Sequence, residues 1–250
     1  MKRNQFFIAL SLLACTLLSC QNEKKQQSSI ANKSNMEKND TILKPFVAEN
    51  LFWIREPKQY TITDSLITIV SEPHTDLWQR TYYGFSNDNA PVLQMKTSDK
   101  FFSFTVKTSF NSSALFDQCG TAIYLDSDNW MKASIEYENE EYQRLGSVVT
   151  NNGYSDWATH DIPSSIKEMW YRLSRRGSDF YIETSPDGTT FHQMRTFHLD
   201  KGDGEISFGI YAASPVDHSF TAQFSEMEVG ECKWQSWSAE DTGFKQTANK

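Results

Sequence analysis

The segment NWMKASIEYE alternates apolar and polar side chains over residues 129–138. In a β-strand, alternate side chains point to opposite faces of the sheet. One set is apolar and is predicted to pack into a core: Met131, Ala133 and Ile135. The other set places an aromatic ring, an ammonium and a carboxylate in one row: Trp130, Lys132 and Glu136. Such a row suits a sugar, although an ordinary solvated sheet face would show the same pattern.

Two further groups of polar and aromatic residues are predicted to lie near this row. The first group comes from HTDLWQRTYYGF and FDQCG and comprises Asp76, Trp78, Arg80, Asp117 and Gln118. The second comes from SVVTNNGYSDWATHDI and comprises Asn151, Tyr154, Asp156 and Trp157. Pairing of this stretch with KASIEYE would bring the second group close to the row. It forms one wall of a ligand site if its side chains face the row, and otherwise it is a polar loop.

Three acidic residues indicate an alternative, which is hydrolysis of a glycosidic bond. The spacing of Glu136, Glu138 and Glu141 resembles the E-x-D-x-x-E strand of family-16 glucanases, with Glu in place of the middle Asp. A retaining glycosidase needs two carboxyl groups ~5–5.5 Å apart, and residues i and i+2 of a strand share a face. The segment around Glu141 also has the composition of a solvated hairpin tip. Glu136 is the catalytic residue if the protein is a hydrolase, and no other catalytic residue is assigned.

Metal and disulfide chemistry have little support in the sequence. No CxxC pair or Cys/His cluster has the spacing of a structural zinc site. Asp126 and Asp128 in LDSDNW could supply oxygen ligands to calcium, but an ordinary turn has the same composition. No other cofactor is predicted. Cys119 and Cys232 could form one disulfide in an oxidising compartment, and the sequence does not give their separation.

The elements that must position these residues are β-strands. About a dozen runs, such as FFSFTVKTSF and EISFGIYAA, alternate with period 2 between clusters of Gly, Asn, Asp and Pro. Only the segment 164–169 has helical character, for one turn at best. The pattern predicts one all-β domain over residues 45–230, built as an antiparallel sandwich or barrel. Residues 231–250 lose the alternation and are predicted to be a loose tail.

The N-terminus predicts export and lipid attachment. Lys2 and Arg3 precede an apolar run of 13 residues, which is shorter than the roughly 20 that a spanning helix needs and typical of a signal peptide. The run ends in LLSC, which resembles a bacterial lipobox. This resemblance implies a signal peptide over 1–19, acylation of Cys20, and a bilayer as partner. Residues 20–44 are polar and predict a flexible tether. The expected location is the bacterial cell envelope, at the outer membrane or cell surface.

The overall charge argues against some classes of partner. The chain has 24 basic and 32 acidic residues, for a net charge of −8. Affinity for nucleic acid depends on neutralising phosphates with Lys and Arg. An acidic chain of this kind is therefore a poor candidate for nucleic-acid binding. The oligomeric state is not indicated by the sequence.

Several segments together resemble one protein family. HTDLWQRTYYGFSND, LFDQCGTAIYLDSDNWMKASIEYE, SVVTNNGYSDW, MWYRLSRRG, SPDGTTFHQMR and GIYAASP occur in this order. They resemble the domain-of-unknown-function 1349 family, also called regulation-of-enolase-1-like, over roughly residues 48–230. The resemblance implies a concanavalin A-like antiparallel β-sandwich, or jelly roll, with one concave sheet. It implies no established activity. The acidic insertion ENEEYQR departs from the family, whose members turn with a short loop at this point.

These observations lead to one functional hypothesis with two alternatives. The first is a lipid-anchored, non-catalytic domain that binds carbohydrate on its concave sheet. The second is a glycoside hydrolase of the concanavalin A-like class. The third is a structural or partner-binding surface lipoprotein, which a broad exposed apolar patch would favour.

Overall fold

The computed structural model describes residues 43–237, which form a sandwich of two seven-stranded antiparallel sheets and a small two-stranded sheet. The first sheet has the order β1-β6-β15-β8-β9-β10-β11. Its strands are β1 (Phe52–Ile54), β6 (Val92–Thr97), β8 (Gln118–Asp126), β9 (Asn129–Tyr137), β10 (Tyr142–Asn151), β11 (Tyr154–Pro163) and β15 (Ile206–Ala213). The predicted all-β, concanavalin A-like jelly-roll fold is confirmed.

The second sheet has the order β14-β13-β12-β7-β16-β3-β2. Its strands are β2 (Tyr60–Ile62), β3 (Leu66–Val70), β7 (Phe101–Phe110), β12 (Glu168–Arg176), β13 (Asp179–Ser185), β14 (His192–His198) and β16 (Thr221–Gly230). The small sheet is a hairpin of β4 (Leu77–Gln79) and β5 (Ser86–Asp88). One turn of 3-10 helix, Ala48–Asn50, precedes β1. No helix in residues 43–237 is long and apolar enough to cross a membrane.

The main core lies between the two large sheets. In each strand, every second side chain points into this core. Aromatic rings pack at its centre, where Phe208 contacts Phe102 and Phe104 at centroid distances of 4.6 and 5.2 Å. The predicted apolar set of β9, Met131, Ala133 and Ile135, is buried in this core.

A second, smaller core covers part of the outer face of the first sheet. Leu77 and Trp78 of the β4–β5 hairpin pack there against residues of the sheet, including Trp130 and Tyr211. The hairpin therefore lies over the outer face, and Gln79 fixes it by donating from its side-chain nitrogen to the Ser127 carbonyl at 2.9 Å. Beside the hairpin, the same face carries an open cleft.

Strands β9, β10 and β11 form a meander whose register aligns the candidate residues. Lys132 lies opposite Val148, and Val148 lies opposite Trp157, so the three share one row across the sheet. The β10–β11 turn has Asn152 and Gly153 at φ of 53° and 76°. These are the values of a two-residue hairpin turn that suits Asn-Gly. NNGY is thus a turn, and the chain on either side of it belongs to the sheet.

Part of the segment predicted as a tail contacts the second sheet. The Trp234 ring stacks on Tyr181 at 5.4 Å, and the Lys233 backbone nitrogen donates to Ser103 Oγ at 2.7 Å. Cys119 is a buried free thiol, so it forms no disulfide with any other cysteine of the described part of the chain. The predicted signal peptide, Cys20 and nearly all of the predicted tether lie outside the described residues.

Candidate functional site

A cleft of about 360 Å³ opens on the outer face of the first sheet, between the β4–β5 hairpin and the loops that precede β8 and follow β15. This volume lies at the lower end of the roughly 300–1,000 Å³ range of small-molecule pockets. The residues that line the cleft are Asp76, Trp78, Tyr83, Phe85, Asn87, Phe116, Gln118, Lys132, Glu136, Val148, Trp157, Pro215 and Val216.

The floor of the cleft is a polar network centred on Lys132. Its Nζ donates to Asp76 Oδ1 at 2.9 Å and to Gln118 Oε1 at 2.8 Å. The same Gln118 oxygen accepts from the Tyr211 hydroxyl at 3.0 Å, and the Gln118 amide nitrogen donates to Glu136 Oε2 at 3.0 Å. Burying an ammonium is costly unless it is paired and hydrogen-bonded. Asp76 and Gln118 supply that pairing.

Glu136 is the carboxyl group with the most altered acidity in the cleft. Burial raises its pKa to about 7, with Asp76 and Glu138 adding to the rise and Lys132 opposing it. Near neutral pH the group is therefore divided between its neutral and charged forms. No hydrogen bond from the described residues reaches its second oxygen, Oε1. Glu136 can offer a ligand hydroxyl either an acceptor or a donor.

The walls of the cleft are aromatic. Trp78 and Trp157 meet edge to face at 6.4 Å between centroids, and Trp78 meets Tyr83 in the same manner at 5.5 Å. Phe85 stacks beside Tyr83 at 5.6 Å. The indole nitrogen of Trp78 is buried and has no hydrogen-bond partner among the described residues. An unsatisfied buried donor is uncommon and calls for an explanation, such as a ligand or a water.

Six of the predicted ligand residues lie together in this cleft: Asp76, Trp78, Gln118, Lys132, Glu136 and Trp157. Their proximity follows from the sheet register, in which Gln118 lies opposite Glu136 and Trp157 shares the row of Lys132. Binding by these residues stays a prediction.

Two predicted residues are buried outside the cleft. Trp130 is fully buried under the β4–β5 hairpin, and its indole nitrogen donates to the Ser127 carbonyl at 3.2 Å. The structure therefore corrects the expectation that Trp130 offers its ring to a ligand. Asp117 is also fully buried, and its Oδ2 accepts from the backbone nitrogens of Ser113 and Ala114 at 3.1 and 3.0 Å. Asp117 thus holds the loop before β8 in shape.

Two more predicted residues point to the opposite face of the sheet. Asp156 Oδ1 pairs with the Arg195 guanidinium at 2.8 Å, and the Asn151 side-chain nitrogen donates to the His198 carbonyl at 2.9 Å. Both partners belong to β14 of the second sheet. Because neighbours in a strand point to opposite faces, Asp156 faces away when Trp157 faces the cleft. The period-2 alternation of the sequence already indicated that Asp156 and Trp157 lie on opposite faces of the sheet.

Arg80 and Tyr154 lie beside the cleft and do not line it. The Arg80 guanidinium lies over the Tyr154 ring at 5.7 Å, donates to the Gly153 carbonyl at 3.1 Å and lies 3.7 Å from Asp128. Tyr154 is largely exposed. Both residues therefore connect the β4–β5 hairpin to the β10–β11 turn.

The three acidic residues of the glucanase-like spacing are not brought together in the cleft. Only Glu136 lines it, whereas Glu138 lies beyond the end of β9 and pairs with Arg144 at 2.6 Å. Glu141 is exposed in the β9–β10 turn, where its backbone nitrogen donates to Asn139 Oδ1 at 2.9 Å. The alternative interpretation of this segment as a hairpin tip is the one that the structure supports.

The two calcium candidates, Asp126 and Asp128, form ion pairs with basic side chains. Asp126 Oδ2 pairs with Lys201 at 2.8 Å, and its Oδ1 accepts from Asn129 at 2.8 Å. Asp128 faces Arg80. Over residues 43–237, no group of three or more His, Cys, Asp or Glu side chains is placed to hold a metal ion.

Sequence reasoning missed seven residues of the cleft: Tyr83, Phe85, Asn87, Phe116, Val148, Pro215 and Val216. Val148 could have been predicted from the sequence, because it precedes the turn and shares a face of the sheet with Trp157. Tyr83 and Phe85 are alternate positions of a segment that was already noted as aromatic. Pro215 and Val216 follow β15, and only long-range docking brings them to the cleft.

Comparison with known proteins gives a family, two fungal relatives and a set of similar structures. The family described as "Protein of unknown function (DUF1349)" matches residues 53–232. "Regulation of enolase protein 1" of Saccharomyces cerevisiae is 29% identical over 177 residues, covering 71% of this chain and 87% of that protein. "Uncharacterized protein AN7484" of Emericella nidulans is 24% identical over 156 residues, covering 59% of this chain and 76% of that protein.

Solved structures agree on the fold. A functionally unknown protein from Saccharomyces cerevisiae matches with a TM-score of 0.68 and 27% identity, covering 74% of this chain and 98% of that one. The GH43 protein BlXynB of Bacillus licheniformis matches with a TM-score of 0.58 and 15% identity, covering 75% of this chain and 38% of that one. At 15% identity the second likeness shows the fold alone.

The prediction of a bacterial cell-envelope location is wrong on these findings. Both curated relatives are fungal proteins, from Saccharomyces cerevisiae and Emericella nidulans. Acylation of Cys20 stays a prediction, because that residue lies outside the described part of the chain.

Proposed function

Because the chain belongs to the DUF1349 family, whose function is unknown, we propose a function from the cleft itself: it binds a carbohydrate without cleaving it. The observation that carries this proposal is the combination of one polar floor with aromatic walls in a single cleft. Lys132, Gln118 and Glu136 form the floor, and Trp78 and Trp157 form part of the walls. A sugar has the same two kinds of surface, hydroxyls at its edges and C–H groups on its faces.

The floor favours a neutral ligand. The Lys132 ammonium is already paired with Asp76, so it carries no unbalanced positive charge for an anionic ligand. Glu136 adds either no charge or a negative one. A uronate or a phosphate would meet this carboxyl group at close range, where like charges repel. A neutral sugar hydroxyl can instead donate to Glu136 Oε1 or accept from its protonated form.

The walls favour a flat, partly apolar ligand. Trp157 is held by Arg144, whose guanidinium lies over its ring at 5.5 Å. Trp78 is fixed by its packing in the second core. Rings that are fixed before binding lose little conformational freedom when a ligand stacks on them.

Screening of an array of neutral, acidic and amino glycans tests this proposal, followed by calorimetric titration of the strongest neutral ligand. The variant Trp157→Ala should lose about tenfold or more in affinity, since one buried ring contributes on the order of 1–2 kcal/mol to such contacts. Trp234→Ala is the matched control, because that Trp stacks on Tyr181 of the second sheet. Absence of any glycan affinity at millimolar concentration would contradict the proposal.

A second candidate function, glycoside hydrolysis, has one observation in its favour. The cleft holds two carboxyl groups in different environments: Glu136, with a pKa raised to about 7, and Asp76, paired with Lys132. A carboxyl group with a raised pKa beside a second carboxyl group is typical of glycosidases, where the first serves as the general acid. Glu136 would serve as the general acid, and Asp76 would serve as the second carboxylate.

Product analysis after prolonged incubation with the bound glycan separates the two functions. Hydrolysis that disappears in Glu136→Gln, while the affinity is retained, would establish the enzyme. Affinity without any product would leave the binding function as the complete description.

A further inference from the structure

The loop that joins β4 to β5, Arg80–Phe85, is an aromatic arm that stands beside the cleft. Tyr82 is 94% exposed, Tyr83 is 55% exposed and Phe85 is 47% exposed. Contiguous exposed aromatic surface is uncommon on a soluble domain and marks sites of interaction. Two of these residues, Tyr83 and Phe85, also line the cleft. The exposed surface is therefore continuous with the site already described.

The arm has a defined backbone shape. Arg80, Tyr82 and Gly84 have positive φ of 54°, 62° and 75°. A non-glycine residue in this region costs on the order of 1 kcal/mol or more, and such strain is concentrated at functional sites. The Gly84 nitrogen donates to the Arg80 carbonyl at 2.7 Å, and the Arg80 nitrogen donates to the Phe85 carbonyl at 2.8 Å. These bonds close the loop on itself.

The base of the arm is fixed to the first sheet. The Arg80 guanidinium donates to the Gly153 carbonyl in the β10–β11 turn and faces Asp128 in the β8–β9 turn. A Cβ at position 153 would lie 2.1 Å from Arg80 Nη1, so only glycine leaves room for this contact. The arm is thus positioned before any ligand arrives.

The rings form an unbroken series from the wall of the cleft to the tip of the arm. Trp157 contacts Trp78 at 6.4 Å, Trp78 contacts Tyr83 at 5.5 Å, and Tyr83 contacts Tyr82 at 5.0 Å. From Trp78 onward, exposure increases along this series, from the buried Trp78 through Tyr83 to the almost fully exposed Tyr82. A ligand unit on the arm would therefore lie outside the cleft and next to a unit inside it.

From this continuity we propose that the tip of the aromatic arm is a second subsite, and that the ligand is a neutral oligosaccharide whose chain continues from the cleft, past Tyr83, onto Tyr82. The proposal rests on the carbohydrate-binding function proposed above. A single sugar unit fills only the cleft. A second and a third unit gain contact with Tyr82, which lies outside the cleft and which the first unit does not reach.

Calorimetric titration with oligosaccharides of increasing length tests the proposal, because it measures how affinity depends on chain length. Glucose, xylose and mannose are compared with their β-1,4-linked di-, tri- and tetrasaccharides, using the wild type, Tyr82→Ala, Tyr82→Phe and Tyr60→Ala. Tyr60 is a matched control, because it is an exposed ring on β2 of the second sheet. At 94% exposure, truncation of Tyr82 should leave the thermal midpoint unchanged, and this is checked first.

We expect affinity to rise with chain length in the wild type. Tyr82→Ala should weaken binding of the tri- and tetrasaccharides about fivefold and leave the monosaccharides unchanged, because it removes apolar contact area only at the arm. In Tyr82→Phe and in Tyr60→Ala, affinity should rise with chain length as it does in the wild type.

Several other results would overturn the inference, in different ways. Sugar binding whose affinity is independent of chain length would contradict the second subsite and leave the proposed function standing. The same holds if Tyr82→Ala shows the same dependence of affinity on chain length as the wild type. Absence of binding for every sugar at every chain length would contradict both the second subsite and the proposed function. Binding of monosaccharides that weakens in Tyr82→Ala also counts against a separate subsite, since it would assign Tyr82 to the cleft.

Discussion

Two buried cations, Lys132 in the first sheet and Arg175 in the second, are satisfied in different ways. Lys132 is held by side chains, the Asp76 carboxylate and the Gln118 amide, and it lies on the floor of a cleft. Arg175 is held by the backbone. Its guanidinium donates to the carbonyls of four residues at 2.7–2.8 Å: Asp99, Gly177, Gly202 and Gly204.

The difference separates a structural charge from one that can take part in binding. The carbonyls around Arg175 belong to loops at the end of the sandwich. Burial lowers the pKa of Arg175, and the charges of Asp203 and Asp99 oppose that shift. Its bonds cannot be exchanged unless the loops open. Around Lys132, rotations of side chains alone can transfer hydrogen bonds to a ligand. Burial alone therefore does not identify a site, whereas the kind of partner does.

The largest expected effect comes from removing the structural cation. Arg175→Ala leaves four carbonyls without their donor and should lower the free energy of unfolding by about 3–5 kcal/mol, since each buried acceptor left unpaired costs about 1–3 kcal/mol. Urea denaturation at pH 7 measures this loss. Arg195→Ala is the control, since Arg195 pairs with the exposed Asp156 and should lose about 1 kcal/mol. Equal losses in the two variants would show that Arg175 stabilises the fold no more than a cation paired with an exposed carboxylate does.

Removing the cleft cation should have a smaller effect on stability and a specific effect on acidity. Lys132→Met should destabilise the fold by about 1–3 kcal/mol, because Asp76 and Gln118 lose their donor. It should also raise the pKa of Glu136 further, because the Lys132 charge opposes that rise. Carbon-13 detection of the glutamate carboxyl signals follows the titration. An unchanged pKa would show that Lys132 and Glu136 are not coupled.

The pH dependence of stability should carry the signature of Glu136. Its pKa is raised from 4.5 to about 7 in the folded state, so the folded chain holds this proton more tightly than the unfolded chain does. The resulting stability is present below about pH 4.5 and is lost as the pH rises through about 7. Glu136→Gln should flatten the decline in the free energy of unfolding between pH 5 and 8. A slope equal to that of the wild type would assign the decline to other groups.

The smallest effect is expected at the turn that holds the arm. Gly153 has φ of 76°, and a Cβ there would meet Arg80 Nη1. Gly153→Ala should cost about 1–2 kcal/mol in stability, and it should displace the arm while leaving the Lys132 network intact. Denaturation and the titration of Glu136 in the same variant check both parts. A shift in the Glu136 pKa would show that arm and floor are not independent.

The sequence predicted the faces of β9 because a strand with one face in the core must alternate. Met131 and Ala133 lie in the main core and Lys132 on the other face, as the pattern required. The same rule separates Asp156 from Trp157, although the two are adjacent in the chain. Local alternation therefore determines the face of a residue.

Local alternation does not determine what covers that face. Trp130 lies on the predicted side of β9 and is buried all the same, because the β4–β5 hairpin docks on it from about 50 positions away in the chain. Val216 reaches the cleft from beyond β15 by similar long-range packing. The floor of the site could be predicted from the strands, and its walls depended on the docking of loops.

In the proposed complex, a neutral glycan lies against the Trp78 and Trp157 rings, over the Lys132 network. Nitrogen-15 spectra of the tryptophan indole groups test it most directly, because the chain has seven Trp residues and each gives one signal. On titration with a neutral tetrasaccharide we expect the signals of Trp78 and Trp157 to shift, while those of Trp170 and Trp234 on the second sheet stay in place. Shifts confined to the second sheet, or none at saturating glycan concentration, would contradict the claim.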